Sequence, residues 1–212
     1  MALSKGTICI VGCGPGAKAC VTAEACAAVL DAEVLIGARR LLDLFPESKA
    51  ERIVVHGEIE ATISALVRNH LRRVALLVTG DPGIASLARC VLERFGRDAC
   101  CVIPGISSVQ MAFARLGVSW LDARIVSAHG ATPEISVEAL RKEQKIAVLA
   151  GSEEAMNWVA DLKEYLGADW RLFAAENLTL DREHVYECSS EVLRAEKLPP
   201  LTVLVLMRSY CL

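Results

Sequence analysis

Residues 10–18 read IVGCGPGAK, an apolar β-like run that breaks into Gly12, Gly14 and Gly16 with Pro15 between the last two. A first strand followed by glycines marks an α/β chain, and Gly12, Gly14 and Ala17 satisfy the permissive G-x-G-x-x-G/A dinucleotide pattern. The surroundings argue against that pattern. A dinucleotide loop opens directly into a helix whose N-terminus meets the pyrophosphate, whereas here Pro15 and AKACV intervene and the better helix start is Thr22. The second strand ends VLIGARR, with no carboxylate for a ribose hydroxyl, although Arg39 and Arg40 keep an NADP-dependent oxidoreductase open as an alternative. No G-K-[ST] follows, which excludes a P-loop.

Moving outward, short β-rich runs alternate with helical patterns. TICIV (7–11), EVLIG (33–37), RIVV (52–55), VALLVT (74–79) and ACCVI (99–103) read as strands, with amphipathic segments between them. PGISSVQMAFARLG then supplies a serine-capped helix that Gly117 would end. The pattern resets near 117–124. ARIVSA (123–128), KIAVLAG (145–151), WRLFAAE (170–176), HVYEC (184–188) and LTVLVLM (201–207) read as strands, with helices over 134–142 and 153–166, the latter capped by Ser152. The expected fold is two small α/β domains, residues 1–117 and 118–212, with a cleft between them. The first sheet is expected to be mainly parallel and the second mixed.

Composition narrows the function classes. The chain has 212 residues, 53% hydrophobic and 23% charged, enough to fill a core without metal or disulfides. A net charge of −3 carries no basic footprint for nucleic acid. Nine cysteines are an odd, scattered set without C-x-x-C, so they read as structural small-hydrophobe thiols in a reducing cytoplasm, with no metal site. The adjacent pair Cys100 and Cys101 is expected in a buried strand. No apolar run approaches a membrane span.

Four further stretches carry chemistry. VTGDPGIAS (78–86) and VIPGISS (102–108) fall at strand ends, where open α/β sheets place ligands. SAHGA (127–131) and AAENLT (174–179) lie at later strand ends. Taken alone, Asp81 reads equally as a turn carboxylate, Ser107 and Ser108 as helix caps, and His129 as a structural histidine. G-x-S-x-G is absent, so no serine nucleophile is indicated.

The ordered set G-x-G-P-G, G-D-P-G, P-G-I-S-S and S-x-H-G resembles the tetrapyrrole (corrin/porphyrin) methylase family over essentially the whole chain. The segments VIPGISSVQMAFARLG, VSAHG, AAENL and GARRLLDLF are similar to members that methylate carbon-5 of a corrin precursor in cobalamin biosynthesis, of the cobalt-precorrin-7 or precorrin-6Y type. The resemblance implies S-adenosyl-L-methionine as co-substrate, bound by Pro15, Gly80, Asp81, Ile84, Ser107 and Ser108, with Ala150, Ala175 and Thr202 contributed by the second domain. It implies a macrocycle facing Gly12, Gly14 and Gly16, carboxylates met by Arg39 and Arg40, and a catalytic role for His129. It further implies a homodimer and a separate carbon-15 methyltransferase/decarboxylase. Two departures stand out: Ala131 replaces the arginine that usually follows S-x-H-G, and Thr179 replaces the glycine of E-N-L-G. A methylase acting on another ring carbon and a non-catalytic ligand sensor remain as alternatives.

Overall fold

A computed structural model describes residues 7–128 and 133–211. The chain divides into two compact units, residues 1–107 and 108–212.

In the first unit, strands and helices alternate: β1 (Ile8–Gly12), α1 (Ala23–Asp31), β2 (Val34–Gly37), α2 (Arg39–Leu42), β3 (Glu51–Val54), α3 (Ile59–Arg68), β4 (Val74–Val78), α4 (Ala88–Phe95) and β5 (Cys100–Ile103). All five strands are parallel, in the order β3-β2-β4-β1-β5. The period-2 alternation of an extended chain assigns their side chains to two faces. Cys9, Val11, Leu35, Ala75 and Leu77 pack against α1 and α2. Ile8, Ile10, Val34, Ile36, Val74 and Leu76 pack against α3 and α4. Strands covered on both faces explain why β1, β2 and β4 read as continuous apolar runs. The exception is β5, an edge strand with Cys100 and Cys101 half-buried and Val102 44% exposed, not the buried strand expected from ACCVI.

The second unit begins with α5 (Ser108–Leu116), then β6 (Ala123–Ser127), α6 (Val137–Leu140), β7 (Lys145–Ala150), α7 (Glu153–Leu166), β8 (Trp170–Glu176), β9 (His184–Glu187), α8 (Ser190–Ala195) and β10 (Thr202–Arg208). Its sheet is mixed, in the order β6-β7-β10-β8-β9, with only β6 and β7 paired in parallel. One face carries Ile146, Val148, Leu172 and Leu204 against α7 and α8. The other carries Ala147, Phe173, Val203 and Val205 against Val109, Ala112 and Phe113 of α5. That packing puts α5 in the second unit, so the division falls at Ser107/Ser108 rather than after Gly117. Two short helices, α2 and α8, were not anticipated, and the helix expected over 134–142 shortens to α6.

Candidate functional site

Chain direction first identifies the useful end of the first sheet. The segment leaving β1 leads to α1 on one face, and the segment leaving the adjacent β4 leads to α4 on the other. Such a reversal opens a crevice at the carboxyl ends of open α/β strands. Here the crevice is bridged. Gly80 N–H donates to the Gly14 carbonyl at 2.8 Å, Gly14 N–H to the Gly80 carbonyl at 3.3 Å, and Cys13 N–H to the Val78 carbonyl at 2.9 Å. Gly14 (φ 73°) and Gly80 (φ 66°) both take the left-handed conformation that this bridge requires.

A third loop joins them. A Cβ on Gly12 would stand 2.6 Å from the Gly105 nitrogen and 2.8 Å from both the Gly80 carbonyl oxygen and Pro82 Cδ. A Cβ on Gly105 would meet the Gly80 oxygen and the Gly12 backbone in turn. The backbones of the β1, β4 and β5 loops are therefore in direct contact, and only glycine fits there. Gly12, Gly14, Pro15 and Gly16 are all buried, so the space expected to serve a macrocycle is filled at Gly12 by the protein itself.

Asp81 fastens the junction. Its Oδ1 accepts from Gly83 N–H at 2.7 Å, closing an Asx turn, and its Oδ2 accepts from Gly105 N–H at 3.1 Å. The carboxylate thus ties the G-D-P-G turn to the P-G-I-S-S loop. Pro82 is buried, whereas Gly83 and Pro104 are exposed and Asp81, Ile84 and Gly105 are half-buried. The surface this end presents is consequently mostly backbone. Ser107 is buried, and Ser108 opens α5.

The guanidinium of Arg40 donates to Thr79 Oγ1 at the end of β4, which brings a cation to the same strand ends. It also lies near Cys13, whose thiol is pushed up to about 12 by burial despite the opposing effect of Arg40 and Lys18. Arg39 is exposed on α2.

In the second unit, Thr202 of β10 pairs with Ala150 of β7 on one side and Glu176 of β8 on the other, all at one end of the sheet. The Thr202 hydroxyl donates to the Pro199 carbonyl at 2.7 Å. Ala150 and Ala175 are both fully buried but on opposite faces, Ala150 toward α7 and Ala175 toward α5, so they offer backbone rather than side chains at the strand ends. His129 and Ala131 lie outside the described residues.

The sequence profile of the Tetrapyrrole (Corrin/Porphyrin) Methylases matches residues 7–193. The chain belongs to that family. The tetrapyrrole methylase is 29% identical over 178 residues to the cobalt-precorrin-7 C(5)-methyltransferase of Salmonella typhimurium, covering 84% of this chain and 88% of the relative. Its fold superposes with a TM-score of 0.75 on the cobalamin biosynthesis precorrin-6Y methylase of Archaeoglobus fulgidus, at 29% identity over 96% of this chain and 99% of the other. The uroporphyrin-III C-methyl transferase of Thermus thermophilus, in complex with S-adenyl homocysteine, shares the fold at a TM-score of 0.73 and 22% identity, covering 95% of this chain and 97% of that one.

The residues that sequence reading did not assign are Gly105 and the pair Glu176–Tyr186. Gly105 was visible as part of P-G-I-S-S, but its partners Gly12 and Gly80 are 93 and 25 positions away in the chain. Among the described residues no three His, Cys, Asp or Glu side chains group as a metal site, and no helix is long and apolar enough to cross a membrane.

Proposed function

We propose that this tetrapyrrole methylase transfers the methyl group of S-adenosylmethionine to carbon-5 of a corrin precursor at the cobalt-precorrin-7 stage of cobalamin biosynthesis. The similarity to a carbon-5 methyltransferase across 84% of the chain is the observation that carries the reading. The local structure suits it: the junction of the β1, β4 and β5 loops presents backbone and a fixed carboxylate, with half-exposed Ile84 as the apolar contact.

When bound, the donor supplies an already activated methyl group. The S–CH3 bond breaks as the bond to the ring carbon forms, the donor departs as a neutral thioether, and the ring sheds a proton. The protein's work is alignment, worth up to about 7–11 kcal/mol when two reactants are held in line. We assign that work in the first unit to the backbone of Gly80, Pro15 and Ser107, with Asp81 holding the loops in place, and at the start of the second unit to that of Ser108. In the second unit we assign it to Ala150, Ala175 and Thr202. Arg40, anchored at Thr79, and Arg39 are proposed to meet the carboxylates of the macrocycle, where the planar guanidinium offers a two-pronged contact. We also propose a homodimer, and the reducing cytoplasm, which suits nine cysteines that are all free thiols.

Calorimetric titration with S-adenosylhomocysteine and with NADP tests the first step. Binding of the former and not the latter is expected, and NADP binding alone would overturn the reading. Labelled methyl donor with the cobalt-precorrin substrate should then place label on carbon-5, and label on another carbon refutes that position. Asp81→Ala should weaken S-adenosylhomocysteine about tenfold, ~1.4 kcal/mol, by loosening both loops; unchanged affinity would reduce Asp81 to a turn residue.

A further inference from the structure

Strand register sets one pair of thiols side by side in the first unit. Cys9 of β1 and Cys101 of β5 are direct partners in the parallel ladder. Paired strands lie about 4.8 Å apart, inside the Cα separation of roughly 4.4–6.8 Å that a disulfide spans. Both side chains belong to the face packed by α1 and α2, whereas Cys100 belongs to the α3/α4 face. The two thiols are also in contact. Burial, together with a hydrogen bond donated to the Cys101 sulfur, pushes the Cys9 thiol well above its ordinary range, so Cys9 keeps its proton. Access separates them: Cys9 is fully buried, while Cys101 is half-buried on an edge strand that pairs only with β1. Such an edge opens locally more readily than a sheet centre.

The pair sits under the three-loop junction. Gly12 follows Cys9 by three residues and Gly105 follows Cys101 by four, and those two glycines touch backbone to backbone. Methyl transfer asks nothing of either thiol. We propose that Cys9 and Cys101 are a reversible oxidation site, closing under a hydroperoxide to a disulfide that clamps the edge strand β5 to the sheet centre. The Cys101 sulfur, as thiolate, attacks the peroxide: an S–O bond forms, the O–O bond breaks and hydroxide leaves, taking up the proton Cys101 gave up. The Cys9 sulfur then attacks the sulfenic sulfur. The S–S bond forms, the S–O bond breaks, and the Cys9 proton departs with the second hydroxide as water. The two thiols give up two electrons, and one peroxide becomes two waters. In a reducing compartment such a bond is transient, as in redox-sensing proteins, and free thiol reopens it.

Peptide mapping of the full chain tests this: exposure to hydrogen peroxide, denaturation in excess iodoacetamide, then digestion with and without dithiothreitol. The wild type should yield the Cys9 and Cys101 peptides joined in most chains, and dithiothreitol should separate them. Cys101→Ser should abolish that link and Cys100→Ser should leave it, with the melting temperature of each reduced variant reporting the fold independently. In the oxidised protein, β5 amides bonded to β1 should exchange about tenfold more slowly. A dominant link from Cys9 to Cys100, from Cys13 to Cys26 or between two chains overturns the proposal. So does Cys101 oxidised to the sulfinic acid while Cys9 remains free to alkylate. Unchanged or faster β5 exchange in the linked protein overturns the clamp.

Discussion

Thr179 shows how a single position carries both history and strain. It occupies the left-handed region at φ 69°, two residues after Asn177 at φ 48°, in the turn that follows β8. A β-branched residue is poorly suited to that region, and the related motif E-N-L-G places glycine there. The turn is held by other means: Thr179 N–H donates to Glu183, which also pairs with Arg115 of α5. Thr179→Gly keeps that backbone donor and removes the side-chain clash, so it should stabilise the protein by about 1 kcal/mol, read as a higher urea midpoint. A lower midpoint would mean that the threonine side chain contributes more than its conformation costs. Gly12 teaches a complementary lesson. The sequence shows a glycine there, but not whether a ligand or another loop takes the space a side chain would fill; Gly105, 93 residues later, takes it.

Among the elements, α7 was legible because its signals are local. Ser152 stands immediately before the apolar periodicity and its hydroxyl accepts from Ala155 N–H at 3.2 Å, while Gly167 ends the helix at φ 84°. Ser152→Ala should therefore cost about 1 kcal/mol in chemical denaturation; no measurable loss would show that packing of Met156 and Val159 alone sets the helix start. The ends of α5 were equally visible, with Gly117 at φ 68°, yet its allegiance was not. A stripe of Val109, Ala112 and Phe113 fits any apolar sheet face, and only the packing against Phe173 and Val203 decides which. Helices α2 and α8, of four and six residues, are too short to display a 3.6-residue period at all.

Across the whole molecule, ionisable groups predict a bounded stability range. Hydrogen bonds from Arg115 and Arg171 hold Glu183 and Glu187 below the ordinary carboxylate range. Stability from a depressed carboxylate is complete above its unfolded value, about 4.3, and is lost as pH falls through the lowered folded value. Burial acts oppositely on thiols, pushing Cys13 and Cys188 up to about 12. Unfolded thiols ionise near about 8.5, so stability should fall as pH rises past that point while the folded thiols stay neutral. Melting temperature against pH should show a plateau between about pH 5 and 8 and decline on both sides. A curve flat to pH 3, or rising above pH 9, contradicts this account. At this same scale the division of labour is clear. Alternating apolar periods, glycine punctuation and the ordered strand-end motifs were enough, from sequence, to indicate two α/β sheets, one parallel and one mixed, and the methylase resemblance, because each of these signals is local in the chain. Tertiary structure alone decided the sheet to which α5 belongs, that Gly12, Gly80 and Gly105 fill one another's space, and that Tyr186 holds Glu176. The first two depend on backbones or side chains far apart in sequence meeting within a few ångströms, brought together by strand order, which no local period encodes; the third, between residues ten apart, depends on the register of the paired strands β8 and β9.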